Sequence, residues 1–497
     1  MLEHFFSAPL DPGRKLQQQI QERIIEAILA GSLPSHEPLP ATRILARDLG
    51  VARNTISLVY ERLAEDGYLK PVRRRGYFID ERYVREQLNL KPDGGGKGLF
   101  PVTGKPVDYA ARIAVSYRNQ RLMHKPADWR RYSYPFIYGQ LIPDRTSVSR
   151  WRDCIRQAGT AEHVSSWAVD LIDADDPMLI DQIIRRVLPK RGFRAEPAEV
   201  MITVGAQHAL FLAATLLMQA GTVVGFEEPG YPDARNIFLS RGASIKLQML
   251  DGNGMRVTED LAGCEVVCVT PGHQSPTNVT MTLERRLQLL AAAETHDFLI
   301  IEDDYEHELN YVGKQRPALK SLDTSGRVIH IGSLSKPLFP GLRLGFVVAP
   351  KPLMEELRAL RRLMCRHPSA LDQRAMAIFF ADGHFEAHIR RQRSDLAQRW
   401  KTILKEIDKS LPDCDVTMTT GGSGLWLTLP KGTDARRLAA VAAEKGVLVE
   451  PGDACYLRDT PPLNRIRMGF AAIPRERIAA GITLLAEALK EVRPPAS

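Results

Sequence analysis

The sequence predicts a multidomain protein in which a small α+β unit precedes a large α/β region. Three observations support this prediction. Three short amphipathic helical patterns and a hairpin pattern fill the first eighty residues. About fifty residues without clear periodicity follow, which is too long for an ordinary loop within one domain. From residue 197 to 349, strand patterns alternate with helical patterns, as in folds built on a mostly parallel sheet.

The composition is that of an ordinary globular protein. The 497-residue chain is 44% hydrophobic and 25% charged. Its longest apolar run, residues 209–218, is about half of the ~20 residues that a membrane span needs. The N-terminus lacks the basic segment of a secretory signal. Six cysteines without disulfide-like spacing indicate reduced thiols. We therefore expect a cytoplasmic protein without a membrane partner.

The formal net charge of +8 is unevenly distributed. Residues 1–80 are almost neutral, whereas residues 81–131 carry 11 basic and 5 acidic side chains. The glycine-rich stretch at 92–98 adds a flexible break. We therefore predict a flexible basic linker over 81–129. This linker either adds non-specific attraction to nucleic-acid phosphates or is simply solvated.

The first eighty residues predict a winged helix-turn-helix. Apolar residues recur at helical spacing in three segments, and two aromatic segments flank a basic turn. The predicted helices cover 14–30, 41–49 and 53–66, the hairpin strands cover 68–70 and 77–79, and the turn is 73–76. In such a fold the third helix enters the major groove of DNA. A three-helix protein-interaction module with a solvated charge run is the alternative.

Residues at the start of the third helix and in the basic turn suit contacts to DNA. Arg53 and Asn54 are residue types that make paired hydrogen bonds to base edges, and Thr55 suits a phosphate or a thymine methyl group. The arginines of the turn suit phosphates or the minor groove. These contacts would let the first eighty residues bind DNA.

This segment resembles the DNA-binding domain of GntR-type bacterial regulators. The resemblance lies in residues 39–56 and 60–63, and it extends over residues 12–80. It implies that the DNA contacts are made by Arg43, Arg53, Asn54, Thr55, Arg74, Arg75 and Gly76. Ala41 and Ala52 stand where the family usually has serine. A helix cap worth ~1 kcal/mol is therefore missing at Ala52.

In the large region, residues 329–345 are typical of a buried strand followed by a polar turn that presents Lys336. An amine that attacks a carbonyl carbon has to be partly deprotonated, and burial or a nearby cation lowers the pKa of a lysine accordingly. Ser333, Ser335 and Arg343 are donor types that hold a phosphate. The alternative is a surface loop with an ordinary solvated lysine.

Further candidate groups follow upstream strands. Residues 205–207 open a helix whose free N–H groups can bind an anion. Tyr231 can stack on an aromatic ring, although packed turn aromatics are more common. Asp303 lies among three successive carboxylates, which a protonated pyridine nitrogen, or a metal with His307, would balance. Tyr305 can donate to a phenolate oxygen. Together with the lysine, these groups describe a pyridoxal phosphate (PLP) site, and we expect no resident metal.

Residues 130–490 resemble the fold-type I aminotransferases, which are PLP-dependent α/β proteins with a smaller C-terminal α+β domain. The resemblance implies a PLP-binding domain at 130–497, with 351–497 as its smaller part. It implies that Lys336 forms the Schiff base, Asp303 pairs with the ring nitrogen, Tyr305 bonds the ring oxygen, Tyr231 stacks on the ring, and Ala206, Gln207, Ser333 and Arg343 hold the phosphate. It also implies that Arg467 binds the carboxylate of an amino-acid ligand. A surface arginine beside a helix is the alternative.

Three places depart from the aminotransferase pattern. Asn278 stands where glycine is usual, and asparagine is the least costly substitute if the backbone there has a positive φ. Ser275 stands where an asparagine often lies near the ring oxygen. Residues 173–178 lack the tyrosine that would reach the phosphate of the partner subunit. These changes put efficient transamination in doubt more than cofactor binding.

The order of winged helix, linker and aminotransferase-like domain resembles the MocR-type (PdxR-like) branch of GntR regulators. The resemblance implies a PLP-dependent transcriptional regulator that binds a double-stranded DNA operator and forms a head-to-tail homodimer. Its effector would be an amino acid, an amine or PLP itself. One alternative is an active aminotransferase with an appended DNA-binding domain. Another is a DNA-binding protein whose second domain only dimerises and binds no PLP.

Overall fold

The computed structural model describes residues 11–492, with gaps at 12, 31, 81, 83–106, 119 and 314–315. The chain divides into two units, Met1–Ser116 and Tyr117–Ser497. Most of the predicted linker lies outside the described residues. Residues 120–129 at its end are described, and they belong to the second unit.

Three helices and a hairpin make up the fold of residues 16–79 in the first unit. The helices are α1 (Leu16–Leu29), α2 (Thr42–Asp48) and α3 (Arg53–Glu65), and the hairpin pairs β1 (Leu69–Val72) with β2 (Gly76–Ile79). Their apolar faces form one core, in which Ile20, Ile56 and Val59 are fully buried. The three helices and the hairpin that the sequence predicts are therefore present, with small differences at their ends.

The second unit alternates strands and helices through its first half. Its strands are β3 (Tyr134–Pro135), β4 (Val200–Thr203), β5 (Val223–Glu228), β6 (Ser244–Asp251), β7 (Gly254–Met255), β8 (Val266–Val269), β9 (Leu299–Asp304), β10 (Val328–Ser333), β11 (Gly345–Val348), β12 (Asp415–Val416), β13 (Gly424–Thr428), β14 (Val447–Leu448), β15 (Glu450–Pro451) and β16 (Arg465–Gly469). Its helices are α4 (Arg145–Ala158), α5 (Ala161–Trp167), α6 (Pro177–Gln182), α7 (Gly205–Leu217), α8 (Pro232–Ser240), α9 (Leu283–His296), α10 (Lys351–Cys365), α11 (Ala370–Ala381), α12 (His384–Ser410), α13 (Ala435–Glu444) and α14 (Arg475–Val492). Among the described residues, none of the helices combines the length and the apolarity needed to span a bilayer.

A mixed sheet with the order β4-β11-β10-β9-β8-β5-β6-β7 forms the centre of this unit. The successive pairs from β10 to β6 are parallel, whereas β11 runs antiparallel to both of its neighbours. Strands β4, β5, β9 and β10 therefore point the same way. Because the carboxyl ends of such strands share one edge of the sheet, the residues that follow them are brought together.

A second, smaller sheet has the antiparallel order β12-β13-β16-β15 and shares a core with α12 and α14. Leu396 of α12 and Ile482 of α14 are fully buried in that core. Strand β3, near the start of the unit, pairs with β14, near its end. The N–H of Gly469 also donates to the carbonyl of Phe136 at 3.1 Å. The first residues of the unit are thus held by its last ones.

Candidate functional site

The loop that follows β10 is closed by a serine hydroxyl. Ser335 Oγ donates to the carbonyl of Leu344 at 2.9 Å and also accepts the N–H of Leu344. Ser333 Oγ accepts the N–H of Lys336 at 3.2 Å. These bonds hold Lys336 at the carboxyl edge of the sheet. The hydroxyl of Ser335, a candidate phosphate donor in the sequence, is used to close this loop.

The amine of Lys336 lies among aromatic rings. Its Nζ is 3.8 Å from the ring centre of Tyr138 and 5.2 Å from that of Tyr305. Desolvation lowers the pKa of Lys336 from 10.5 to about 8, with Glu306 opposing and Arg467 contributing to the shift. A pKa of about 8 leaves part of the amine neutral at physiological pH, as attack on a carbonyl carbon requires.

Two of the three carboxylates at the end of β9 have partners within the protein. Glu302 accepts the backbone N–H groups of residues 319–320 and lies 2.9 Å from His330 Nδ1. Asp304 lies 2.8 Å from His307 Nδ1. Burial raises the pKa of Asp304, but His307, Arg191 and His330 together outweigh burial, so this pKa is well below its ordinary value. These two carboxylates are therefore balanced by the protein itself.

Asp303, between them, has no such partner. It is 4% exposed, and its Oδ1 lacks a hydrogen-bond partner among the described residues. Burial raises the pKa of Asp303 from 3.8 to about 7, although Lys336 opposes the shift. The hydroxyl of Tyr305 is likewise buried without a partner among the described residues. Buried polar groups usually have partners. This pair therefore fits a ligand ring that carries a protonated nitrogen and an oxygen substituent, as PLP does.

A site for an anion lies where α7 begins. Gly205 has φ +73, and a Cβ atom there would lie 2.9 Å from Arg343 Nη2. The guanidinium of Arg343 therefore packs directly against the first turn of the helix, which has no side-chain cap. The free N–H groups at a helix N-terminus, together with a guanidinium, suit a phosphate. Ser333, 6% exposed, lines the same cavity.

Arg467, which lies on β16, is a second buried cation of this cavity. It is 4% exposed, and its Cζ is 3.3 Å from the ring centre of Tyr138. Its Nε and Nη2 have no hydrogen-bond partner among the described residues. Glu450, opposite Arg467 in the β15/β16 register, accepts the N–H of Tyr138 at 3.1 Å. Arg467 is thus a buried cation with free donors, and the alternative of an exposed surface arginine is wrong.

One cavity of about 280 Å³ brings together all nine residues that the sequence assigns to the PLP and effector sites. They are Ala206, Gln207, Tyr231, Asp303, Tyr305, Ser333, Lys336, Arg343 and Arg467. The cavity is also lined by Lys125, Tyr138 and Glu450, which the sequence reasoning missed. A carboxylate within the apolar stretch 447–450 is a signal that could have indicated Glu450. Lys125 and Tyr138 stand in segments without a motif or a clear period.

Two of the three departures from the aminotransferase pattern lie at residues with a local structural role, and the third lies in the cavity wall. Asn278 has φ +61, so the backbone does require a residue that tolerates the left-handed region, and its Nδ2 donates to the carbonyl of Gly424. Ser275 lines the cavity. In the segment 173–178, Asp175 pairs with Arg358 at 3.0 Å and Asp176 pairs with Arg374 at 2.7 Å. Those aspartates hold the fold around α6.

In the first unit, the predicted DNA contacts lie on its surface. The exposed ones are Arg43, Arg53, Asn54, Arg74, Arg75 and Gly76, and Thr55 is half-buried. No side chain caps α3 at Ala52, and the N–H of Thr55 donates to the carbonyl of Ala52 at 3.0 Å. The turn of the hairpin is tight, because Arg74 has φ +64 and Gly76 has φ +105. These residues form a basic surface at the start of α3 and at the hairpin.

The fold and the site together define a protein with two parts. A winged helix-turn-helix of the kind found in regulators precedes a domain with an aminotransferase-type fold. Residues 171–485 match the aminotransferase class I and II family, and residues 16–79 match the bacterial regulatory proteins of the gntR family. The chain belongs to the aminotransferase class I and II family and carries a gntR-family domain at its N-terminus. The predicted winged helix-turn-helix and fold-type I aminotransferase fold are confirmed.

Two curated relatives are similar over almost their whole length. The HTH-type transcriptional regulator TauR of Rhodobacter capsulatus is 38% identical over 98% of this chain and 99% of its own. The probable rhizopine catabolism regulatory protein MocR of Rhizobium meliloti is 30% identical over 96% and 94%, respectively. The predicted relationship to MocR-type regulators is thereby confirmed.

A solved structure is similar to the second unit. The kynurenine aminotransferase of Pyrococcus horikoshii, determined in complex with PMP, superposes with a TM-score of 0.67 at 26% identity. The match covers 74% of this chain and 95% of that protein. The family to which the second unit belongs typically uses PLP.

Proposed function

We propose that this protein is a PLP-dependent transcriptional regulator that binds a DNA operator and responds to a small amino-group ligand. One observation carries the proposal. A lysine with a lowered pKa, an unpartnered buried carboxylate and an unpartnered buried phenol line one cavity, in a chain that also has a gntR-family DNA-binding domain. As a regulator that acts on DNA, it would work in the cytoplasm.

Each group of the cavity has a role toward PLP. Lys336 would hold the aldehyde carbon, Asp303 would accept from the pyridinium nitrogen, and Tyr305 would donate to the ring oxygen. Tyr231 would stack on the ring, and the phosphate would lie against Ala206, Gln207, Ser333 and Arg343. When bound, the cofactor supplies an electrophilic carbon that reacts with amines. The ion pair with the pyridinium would return Asp303 to its charged form, because an opposite charge lowers a carboxyl pKa.

The ligand would be a small amine with a carboxylate. Arg467 has free donors in a buried position, and a guanidinium binds a carboxylate through two parallel hydrogen bonds. An amino acid could then bind Arg467 while its amino group competes with Lys336. PLP alone as the effector is the second form of this proposal.

Regulation requires that ligand binding alters DNA binding. The ligand has to bind one arrangement of the protein more tightly than another, by about 1–3 kcal/mol for a typical effector. The residues for operator contact are Arg43, Arg53, Asn54, Thr55, Arg74, Arg75 and Gly76. Domains of the aminotransferase type dimerise, and we propose a head-to-tail homodimer that binds two operator half-sites.

Absorption spectroscopy of the purified protein tests the cofactor assignment. We expect a band at about 420 nm that borohydride traps on the peptide containing Lys336 and that Lys336→Ala abolishes. A matched control is Lys351→Met, because Lys351 is exposed, pairs with Glu196 and does not line the cavity. A colourless wild-type protein would contradict the proposal and favour a second unit that only dimerises.

An active aminotransferase is the second candidate, because the fold is shared with such enzymes and all the predicted cofactor residues are present. A persistent spectral change on addition of an amino acid supports the regulator. Rapid conversion to the pyridoxamine form, with release of a keto acid, supports the enzyme. Ser275 in place of asparagine favours the regulator.

A further inference from the structure

A second cation lines the cavity, and it comes from the segment that begins the second unit. Lys125 is half-buried, and its ammonium donates to the carbonyl of Tyr138 at 2.7 Å. An ammonium group has three donors. Two of them are therefore left for a ligand, since the described residues offer Nζ no other hydrogen bond at this site.

The charges near Lys125 favour a bound anion. Three carboxylates line the cavity, and only Glu450 among them acts on both Lys125 and Arg467. Asp303 faces Lys336, and Asp233 bonds Tyr231. Glu450 is 4% exposed and burial raises its pKa, while burial lowers the pKa of Lys125, so each of these charges is stabilised by a neighbour of opposite sign. Lys125 and Arg467 with one shared carboxylate leave an excess positive charge in this part of the cavity. An oxyanion with several acceptor oxygens could bind both cations at once.

The segment that carries Lys125 is fastened to the cavity walls at a second point. The carbonyl of Arg121 accepts from Arg235 Nη2 and from Asn236 Nδ2, both at 3.0 Å. Both donors belong to α8, whose first residues line the cavity. Met123, between the two anchored residues, lines the cavity as well. A ligand in the cavity therefore touches the part of the second unit that directly follows the boundary with the first.

We propose that Lys125 is a second anion-binding residue of the effector site. It would bind the oxyanion of an amino compound jointly with Arg467. A ligand bound in this way would restrain the segment 120–129. In the sequence, this segment directly follows the boundary between the two units. This inference rests on the proposed function, because it takes for granted an amine-reactive cofactor in the cavity.

A probe series tests the assignment with the full-length protein loaded with PLP. The probes are L-alanine, β-alanine, 2-aminoethanesulfonate and 2-aminoethylphosphonate, with propylamine as the amine without an anion. Dissociation constants come from the spectral change. We expect the wild-type protein to bind at least one anionic probe at least about tenfold more tightly than propylamine. With each variant's affinity for propylamine as its own reference, Lys125→Met should reduce this preference by about tenfold, whereas Lys125→Arg should retain it.

Hydrogen exchange supplies the second readout. The amides of residues 120–129 should exchange more slowly with the preferred anionic probe than with propylamine, and Lys125→Met should remove the difference. Lys351→Met serves as the matched control, and it should behave as the wild type. An unchanged preference in Lys125→Met, no anionic preference in the wild type, or equal exchange with both ligands would each overturn the assignment.

The absorption band separates this inference from the proposed function. A wild-type protein without the band refutes the proposed function itself. If the wild type and Lys125→Met both show the band but share the same anion preference, only the role of Lys125 is refuted. If Lys125→Met alone loses the band, Lys125 belongs to the cofactor site, and the inference is wrong.

Discussion

Asp303 and Asp304 are adjacent and chemically identical, yet their surroundings are opposite. Successive side chains of a strand point to opposite faces of the sheet. Glu302 and Asp304 therefore share one face, where they lie near His330, and Asp303 faces the cavity on the other. On the first face Asp304 lies 3.4 Å from Arg191 and 2.8 Å from His307, whereas the second face offers a carboxylate with an oxygen unpartnered among the described residues. Because they are neighbours on one strand, Asp304 faces partners within the protein, whereas Asp303 faces the cavity and is available to a ligand.

Asparagine substitutions at these two positions should affect different properties, namely PLP affinity at position 303 and stability at position 304. Asp303→Asn removes the partner of a pyridinium, so we expect PLP affinity to fall roughly 10- to 100-fold, the value of a charge-assisted hydrogen bond. Asp304→Asn leaves His307 with a weaker partner, so it should lower the melting temperature instead. Spectroscopic titration with PLP and thermal unfolding measure the two effects. Equal losses of affinity in both variants would contradict this assignment.

The pKa of Asp303 makes a prediction about protein stripped of PLP. Its carboxyl has an ordinary pKa of 3.8 and a folded pKa of about 7. Between these values the folded state keeps a proton that the unfolded state loses, so this group destabilises the fold progressively as the pH rises from about 4 to 7. Asp303→Asn removes that cost. Its melting temperature relative to the wild type should therefore rise over this pH range and level off above it. A constant difference would show that Asp303 is not protonated in the folded state.

At the scale of elements, the start of α7 and the guanidinium of Arg343 together form the proposed phosphate site. Gly205→Ala would strain a positive φ and push a Cβ atom against Arg343. Gly221→Ala strains a similar φ of +92 but meets nothing within 4 Å, so it is the matched control. Both variants should lose about 1–2 kcal/mol of stability. Only Gly205→Ala should weaken PLP binding as well, by about tenfold or more. Equal PLP affinities, measured by titration, would contradict a phosphate site at this helix.

The elements also explain how much of the site the sequence could predict. Three of the site residues lie at or just after the end of a short apolar strand, and these are Ala206, Asp303 and Lys336. Such a strand is recognisable from a few consecutive residues, so the sequence was enough to find them. The positive φ of Asn278 was likewise foreseeable, because only a few residue types tolerate it. Tyr138 could not be found this way. It reaches the cavity because β3 pairs with β14, a contact between distant parts of the chain.

Lys125 was missed for a related reason. The segment 81–129 has no period, and a flexible linker was the natural prediction. The part from 120 onward is nevertheless held by hydrogen bonds from Arg235 and Asn236. Such side-chain bonds to a backbone carbonyl leave no trace in hydrophobic periodicity. Sequence patterns therefore found the groups at strand ends and missed those that tertiary pairing brings in.

For the whole molecule, the basic hairpin turn makes a prediction about DNA binding. Each arginine–phosphate contact releases about one counterion. Replacing Arg74 and Arg75 together with alanine should therefore reduce the slope of log affinity against log salt by about two, one unit for each arginine. Fluorescence anisotropy over a series of salt concentrations measures this slope. Arg436→Ala removes an exposed arginine of the second unit and should leave the slope unchanged. An unaltered slope in the double variant would place these arginines away from the phosphates.

The pairing of β3 with β14 has a consequence for how the protein is made. Tyr138 and Glu450, hydrogen-bonded across the cavity wall, stand 312 residues apart. The core of the first unit, by contrast, closes within its first eighty residues. Because domains fold as the ribosome releases them, the N-terminal head can mature while the cavity still lacks its last walls. Products of premature termination would therefore carry a folded DNA-binding domain without a complete effector cavity.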